Sequence, residues 1–440
     1  MISFYLTSLG CKLNQAEVES LSRRAEALGH EVVAYPQDAD WAIVNTCTVT
    51  HVAARKSRQL IRGLHRENEG LKVAVTGCYA EISPQELKDI EGVDLVVSNA
   101  HKDKIVECIL SQEGEEWPQV TTAAARPPWR LEHGHTRAFV KIQDGCDQHC
   151  AYCIVTIARG PSVSRPPDEV VGEVALRIEE GYNEVVLTGV NIDAYGRDRV
   201  GEAPFLKEDW SLARLVRTIL ERTDIPRLRL SSLEPWDMMP EILGLWPDER
   251  LCRHLHLSLQ SGCDETLRRM GRQYTTADFA RFMRSIRCRI PEVSITSEVI
   301  VGFPGETEEE FAESAAFIER MGFARLHVFR YSPREGTRAA EMSDQVDPRV
   351  AKARSKCLRD LGRRMTLDFH RRFVHRDVEV LFESRYREED AVKWSGLTDN
   401  YLRVTVPSEE DLENTFGIVH CLRADEEGLE GEFVTRGWTE

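Results

Sequence analysis

From Arg137 to Arg330 six short segments rich in apolar and β-branched residues alternate with stretches of helical period, and this alternation limits the possible folds most. The segments are Ala138–Ile142, Glu184–Thr188, Arg227–Ser231, His254–Leu259, Ser294–Val301 and Arg325–Arg330; between them lie helical patterns such as Asp168–Glu180, Leu212–Arg222 and Glu308–Arg320. Strands separated by helix-length crossovers pair in parallel. Six such units suggest an incomplete barrel, although spacing alone also admits an open sheet.

Residues 1–110 carry a second alternation. Ile2, Phe4 and Leu6 alternate with polar residues, and Val18, Leu21, Ala25 and Leu28 give helical spacing over Asn14–Leu28, with Gly29 as a stop. Trp41–Val44 precedes a helix expected from Val52 to Asn68, Lys72–Val75 precedes the Ser83-Pro84 helix start, and Asp94–Val97 precedes a short helix ending near Leu110. This predicts a parallel α/β sheet. Residues 113–135, with Pro118, an alanine run and Pro127-Pro128, read as a linker. After Pro348 a basic helix is expected to run to about His375. Short alternating segments such as Val378–Phe382 and Tyr401–Val406 then predict a small all-β module.

The 440 residues are enough for two to four domains. No run of 18 apolar residues is present and the first residues lack a signal-peptide pattern, so we expect no membrane association and a cytoplasmic setting. In a reducing compartment, twelve cysteines point to metal or cluster ligation wherever they are grouped. Cys146, Cys150 and Cys153 form C-x3-C-x2-C directly after the first barrel strand. Three thiolates on one loop can hold three irons of a 4Fe–4S cube, leaving the fourth iron open. A zinc site is the alternative, but zinc prefers four ligands in paired elements and no fourth partner with such spacing follows. Cys11, Cys47 and Cys78 each follow a strand of the first sheet, at the edge where parallel sheets bind ligands. They read either as a second cluster site or as three buried thiols. Cys108, Cys252, Cys263, Cys288, Cys357 and Cys421 share no spacing and read as inert.

The cysteine loop, with Tyr152 before its third cysteine, resembles the radical S-adenosylmethionine superfamily signature. Both trios together resemble the methylthiotransferase family over essentially the whole chain. The resemblance rests on Gly10–Gln15, Asn45–Thr50, Thr76–Cys78, Asp144–Cys153, Ala158–Pro161, His256–Gly262 and Val301–Thr307. It implies an N-terminal methylthiotransferase domain (1–112), a radical S-adenosylmethionine barrel (136–372) and a C-terminal TRAM β-barrel (373–440). It also implies two 4Fe–4S clusters, on Cys11, Cys47 and Cys78 (auxiliary) and on Cys146, Cys150 and Cys153. Two S-adenosylmethionine molecules would serve each product, one donating a methyl group to sulfur and one generating a radical. Lys12–Gln15, Asn45–Thr50 and Arg55–Gln59 are similar to the branch that methylthiolates carbon 2 of N6-threonylcarbamoyladenosine at position 37 of tRNA. Branches acting on isopentenyladenosine-37 or on a ribosomal-protein aspartate are the alternatives; further off is a non-enzymatic iron–sulfur RNA-binding protein. Expected partners are the tRNA anticodon stem-loop and an electron donor such as flavodoxin or ferredoxin. Cys263 departs from the family's usual serine.

Thr188 and Gly189 end the second barrel strand, Gln260 ends the fourth, and Glu298 and Gly302 flank the end of the fifth. With Tyr152 they are candidate cofactor contacts, against the alternative of plain turn chemistry. Asp347–Asp377 holds ten Lys/Arg and four Asp/Glu, making Arg363, Arg364, Arg371 and Arg372 candidate RNA contacts or one solvated helix face. The segment 378–440 has six Lys/Arg against sixteen Asp/Glu, within a chain of net charge −16. That composition suits a phosphate backbone poorly and a basic protein partner better.

Overall fold

The computed structural model describes residues 1–114, 136–198, 210–235, 240–388 and 391–435. From residue 115 onward the expected linker lies outside them. Five parallel strands open the chain: β1 (Ser3–Ser8), β2 (Glu31–Val32), β3 (Trp41–Thr46), β4 (Lys72–Gly77) and β5 (Leu95–Val96), in the order β2-β1-β3-β4-β5. Every residue of β3 is buried, as helices on both faces of a parallel sheet require. Helix α1 (Lys12–Ala27) covers Phe4, Trp41 and Ile43 on one face, and His51–Glu67 covers Val44, Val73 and Val75 on the other. The α1 pattern predicted a start at Asn14. The helix instead begins at Lys12 with Cys11 as N-cap, because Gly10 turns the chain at φ +112° directly after β1.

The central unit is a barrel left open on one side. β6 (Arg137–Lys141), β9 (Glu184–Thr188) and β10 (Arg227–Leu230) form one parallel arc. A second comprises β11 (Ser232–Leu233), β12 (His254–Gln260), β13 (Ser294–Val301) and β14 (Arg325–Arg330). Ser231 joins them: its amide bonds to Leu187, while the next two residues pair with β12. A two-stranded ribbon, β7 (Gln143–Asp144) with β8 (Val163–Ser164), frames the cysteine loop. Alternation sorts the strands: Ala138, Val140, Val185, Leu187, Leu228, Leu255 and Ile295 pack under the outer helices. Arg137, Phe139, Lys141, Glu184, Arg229 and His254 take the concave face. Helix α1 lies along β6, its Ala16 packed on Phe139 and Val186, so the N-terminal domain flanks the barrel's open side.

The basic helix spans Pro348–Arg371, shorter than the expected run to His375. Phe369 and Phe373 enter the core of the last module, and His375 at φ +63° turns the chain into it. That module is a closed barrel of β15 (Asp377–Glu388), β16 (Ala391–Leu397), β17 (Arg403–Pro407), β18 (Phe416–Ala424) and β19 (Leu429–Thr435). Its β16–β17 turn inserts Tyr401 against the central barrel, the ring stacked on His254 at 4.5 Å. No helix among the described residues is long and apolar enough to cross a membrane.

Candidate active site

The three N-terminal cysteines stand where β1, β3 and β4 end. Two glycines make this possible. A Cβ on Gly10 would lie 2.7 Å from Cys47 Cβ and 2.9 Å from its sulfur, and one on Gly77 (φ +97°) would lie 2.4 Å from Asn45. Cys11 is exposed and Cys47 and Cys78 are buried; burial, helped by the nearby Cys78 and Cys11 sulfurs, pushes the Cys47 thiol up to about 11. Cys78 Sγ accepts a hydrogen bond from Arg159 Nε at 3.3 Å.

Arg159 ties the N-terminal sheet to the barrel. Its guanidinium is 2% exposed and donates to Glu17 at 2.8 Å, to Asp144 at 2.9 Å and to Asn14 Oδ1 at 2.8 Å. Lys102 and Lys141 complete the group, both pairing with Glu17 and Asp144. Burial alone would raise both carboxyls, yet Arg159, Lys141 and Lys102 hold them well below the usual range. Two buried cations, Arg159 and Lys102, and the half-buried Lys141 thus face two carboxylates beside the Cys78 thiol.

The second trio lies on the loop after β7. Gly145 turns at φ +67°, where a Cβ would stand 1.8 Å from the Pro161 carbonyl oxygen. Gln143 clamps the loop's base. Its amide nitrogen donates to the Asp144 and Gly145 carbonyls at 2.7 Å each, and its oxygen accepts from the Val190 and Asn191 amides at 3.1 and 2.9 Å. Cys146 Sγ accepts from the Gln148 amide at 3.4 Å, and Cys150 Sγ from Arg272 Nη1 at 3.3 Å. Arg272 is itself fixed by Glu234 at 2.5 Å and the Ser258 carbonyl at 3.1 Å. Burial pushes the Cys153 thiol up to about 12. Tyr152 stands edge-on to Phe303 at 6.4 Å, in an apolar wall with Met270 and Ala339.

Around this loop, Thr188 is buried and a Cβ on Gly189 would lie 2.9 Å from the Gln143 carbonyl. Gln260, at φ +66°, donates to Glu298 at 2.6 Å; the other Glu298 oxygen is 3.8 Å from His256 Nε2. The Gly302 amide donates to Glu306 at 2.6 Å, and a Cβ there would reach Ala351. The four candidate arginines, three on the basic helix and Arg372 at its C-cap, find their partners away from the cysteines. Arg363 pairs with Asp360 and Glu426, Arg364 with Glu319 and Arg371 with Asp368, while Arg372 covers the Phe369 ring. Sequence reasoning gave no role to Arg159, Arg272 or Gln143. Of these only Arg159 carried a signal, within the Ala158–Pro161 segment.

Among the described residues no three His, Cys, Asp or Glu side chains are placed to hold a single metal ion. An all-thiol set with N–H donors aimed at sulfur fits a multi-iron cluster, in which each thiolate takes a different iron.

Comparison with known proteins places the chain in a family. Residues 3–98 match the uncharacterized protein family UPF0004, and residues 140–318 the radical SAM superfamily. The chain is 37% identical over 437 residues to the threonylcarbamoyladenosine tRNA methylthiotransferase MtaB of Bacillus subtilis, covering 97% of this chain and 95% of that protein. The chain belongs to the tRNA methylthiotransferase family. This methylthiotransferase is accordingly a radical S-adenosylmethionine enzyme, with S-adenosylmethionine and a 4Fe–4S cluster as cofactors. It is also 35% identical over 437 residues to the MtaB of Thermotoga maritima, covering 98% of this chain and 96% of that one. To the tRNA-2-methylthio-N(6)-dimethylallyladenosine synthase of Geobacillus kaustophilus it is 33% identical over 444 residues, covering 98% and 82%. A solved structure of the radical S-adenosylmethionine methyltransferase TsrM from Kitasatospora setae shares the fold, with TM-score 0.54 and 16% identity over 75% of this chain and 73% of that one.

Proposed function

We propose that this methylthiotransferase places a methylthio group on carbon 2 of N6-threonylcarbamoyladenosine at position 37, in the anticodon stem-loop of tRNA. The observation that carries the reading is Arg159, which touches Cys78 of one trio and Asp144, two residues before Cys146 of the other. One side chain thereby joins the two thiol sets that the chemistry needs side by side. When bound, two iron–sulfur clusters and S-adenosylmethionine would supply hydrogen abstraction from an unactivated C–H bond and a methylated sulfur.

The chain's own residues do the rest. Cys146, Cys150 and Cys153 hold the cluster that faces S-adenosylmethionine, and Cys11, Cys47 and Cys78 hold the auxiliary one. Arg272 and Arg159 each give an N–H to one sulfur, Cys150 and Cys78 respectively, and so fix where those two sulfurs stand. Tyr152, Phe303 and Met270 keep water from the loop. Thr188, Gly189, Gln260, Glu298 and Gly302 surround the cofactor, with Gln260 and Glu298 orienting each other. Arg363, Arg364, Arg371 and Arg372 meet RNA phosphates, and a flavodoxin or ferredoxin in the cytoplasm supplies electrons.

The test is a comparison of tRNA nucleosides from a deletion strain and its parent by mass spectrometry. The deletion should convert 2-methylthio-N6-threonylcarbamoyladenosine wholly into its unthiolated precursor. Loss of the methylthio group from dimethylallyladenosine, or from a ribosomal protein with tRNA unchanged, would overturn the reading.

A further inference from the structure

Lys12 follows Cys11 and opens α1, and its ammonium lies 5.7 Å from the centre of the Tyr401 ring. Arg137 and Arg229 face the same ring, at 5.6 and 4.8 Å. Three cations from two domains therefore gather around one aromatic ring from a third. The carboxylates nearby are already engaged. Glu184 grips Arg229 with both oxygens, at 2.6 and 2.9 Å, and both side chains are fully buried. Glu383 pairs with Arg137 at 2.6 Å. Among the described residues no carboxylate pairs with Lys12. Three cations and two carboxylates leave one positive charge over, on a half-buried ammonium. Such a charge is costly to hold unless an anion comes to it.

The two modified adenosines named among the relatives differ in this respect. The threonylcarbamoyl group ends in a carboxylate and the dimethylallyl group is a hydrocarbon. Lys12 is the residue after Cys11 of the auxiliary trio, so the ammonium and that thiol are carried by the same turn of chain at the start of α1.

We propose that Lys12 is a specificity-determining residue whose ammonium receives the threonyl carboxylate of the substrate nucleoside. Arg137 and Arg229, held by their own glutamates, contribute field and leave the direct contact to Lys12. The proposal rests on the reading of threonylcarbamoyladenosine as substrate, and it supplies the contact that separates that nucleoside from the uncharged one.

The test uses full-length, anaerobically reconstituted enzyme and three anticodon stem-loop RNAs. One carries threonylcarbamoyladenosine at position 37, the second its methyl ester, which has no charge, and the third dimethylallyladenosine. A hydrogen bond to a charged group is worth roughly a 10- to 150-fold preference, and the wild type should favour the acid over the ester by that factor in kcat/KM. Lys12→Gln should bring the ratio within about threefold of unity, and Lys12→Arg should restore most of it. A ratio within one variant cancels any general loss of folding or cluster loading. If a variant does not turn over, the affinity ratio from fluorescence anisotropy reads the same quantity. A Lys12→Gln enzyme that keeps the wild-type ratio overturns the proposal, as does a wild type indifferent to the ester. A wild type that methylthiolates only a dimethylallyladenosine stem-loop refutes instead the substrate reading itself.

Discussion

Replacing Glu17 with glutamine should loosen the joint between the N-terminal domain and the barrel. The Glu17 carboxylate is 3% exposed and accepts from Arg159 at 2.8 and 3.2 Å, Lys141 at 3.2 Å, Asn45 at 2.9 Å, and Lys102. The neutral amide leaves the three cations, Arg159 and Lys102 buried and Lys141 half-buried, facing Asp144 alone, so the local charge rises from one positive to two. Breaking a buried ion network by removing one partner costs about 3–5 kcal/mol, and the surplus of cations places this case near 4. At about 2–4 °C per kcal/mol for a domain of 150–250 residues, Tm should fall by roughly 8–16 °C. The pH dependence has a definite sign. Burial would raise the Glu17 pKa, but Arg159, Lys141 and Lys102 depress it in the folded state. Its contribution is therefore complete above the unfolded value of about 4.3 and is lost as pH falls below that. Differential scanning fluorimetry on iron-free protein between neutral and acid pH should show the two Tm curves converging in acid. A neutral-pH difference under about 2 °C, or an offset that stays constant into acid, would refute this account of the joint.

Three further outcomes follow from the same geometry. Replacing Cys146, Cys150 and Cys153 with alanine should leave one reconstituted cluster of two and abolish cleavage of S-adenosylmethionine, read by iron content and by chromatography of the nucleoside product. Replacing Cys11, Cys47 and Cys78 should remove the other cluster and keep cleavage, with no sulfur entering the product; normal methylthiolation would make these thiols mere core residues. Changing Arg363, Arg364, Arg371 and Arg372 to glutamine should weaken tRNA binding and flatten its salt dependence, each lost phosphate contact removing about 0.9 from the slope of log affinity for duplex regions.

Much of the fold is legible in the sequence because its strands alternate between two different environments. Ala138 and Val140 must meet helices, while Phe139 meets α1 and Arg137 and Lys141 meet charged partners, so the local pattern carries the architecture. The cysteines are legible for the same reason: each N-terminal one follows a strand, and a parallel sheet gathers strand ends. The contacts around them are not. Arg159 meets Asn14 across 145 residues of sequence, and Arg272 meets Cys150 across 122, so no local period could announce either. Gln143 is recognisable only from the loops it clamps. Tyr401, within a module whose acidic composition pointed away from RNA, reaches the central barrel by a turn at φ +68° that no propensity of tyrosine favours. The basic helix ends sooner than its charge pattern because Phe369 and Phe373 serve the next module's core.

The proposed reaction needs both thiol trios to act together on one tRNA nucleoside. The direct measurement is mass spectrometry of nucleosides after purified enzyme carrying both clusters reacts with tRNA containing threonylcarbamoyladenosine, a low-potential reductant and S-adenosylmethionine with a deuterated methyl group. The expected product is 2-methylthio-N6-threonylcarbamoyladenosine bearing the deuterated methyl on sulfur, with none from either triple-cysteine variant. Labelled product from the variant lacking Cys11, Cys47 and Cys78, or unmodified threonylcarbamoyladenosine after complete cleavage of S-adenosylmethionine by the wild type, would contradict it.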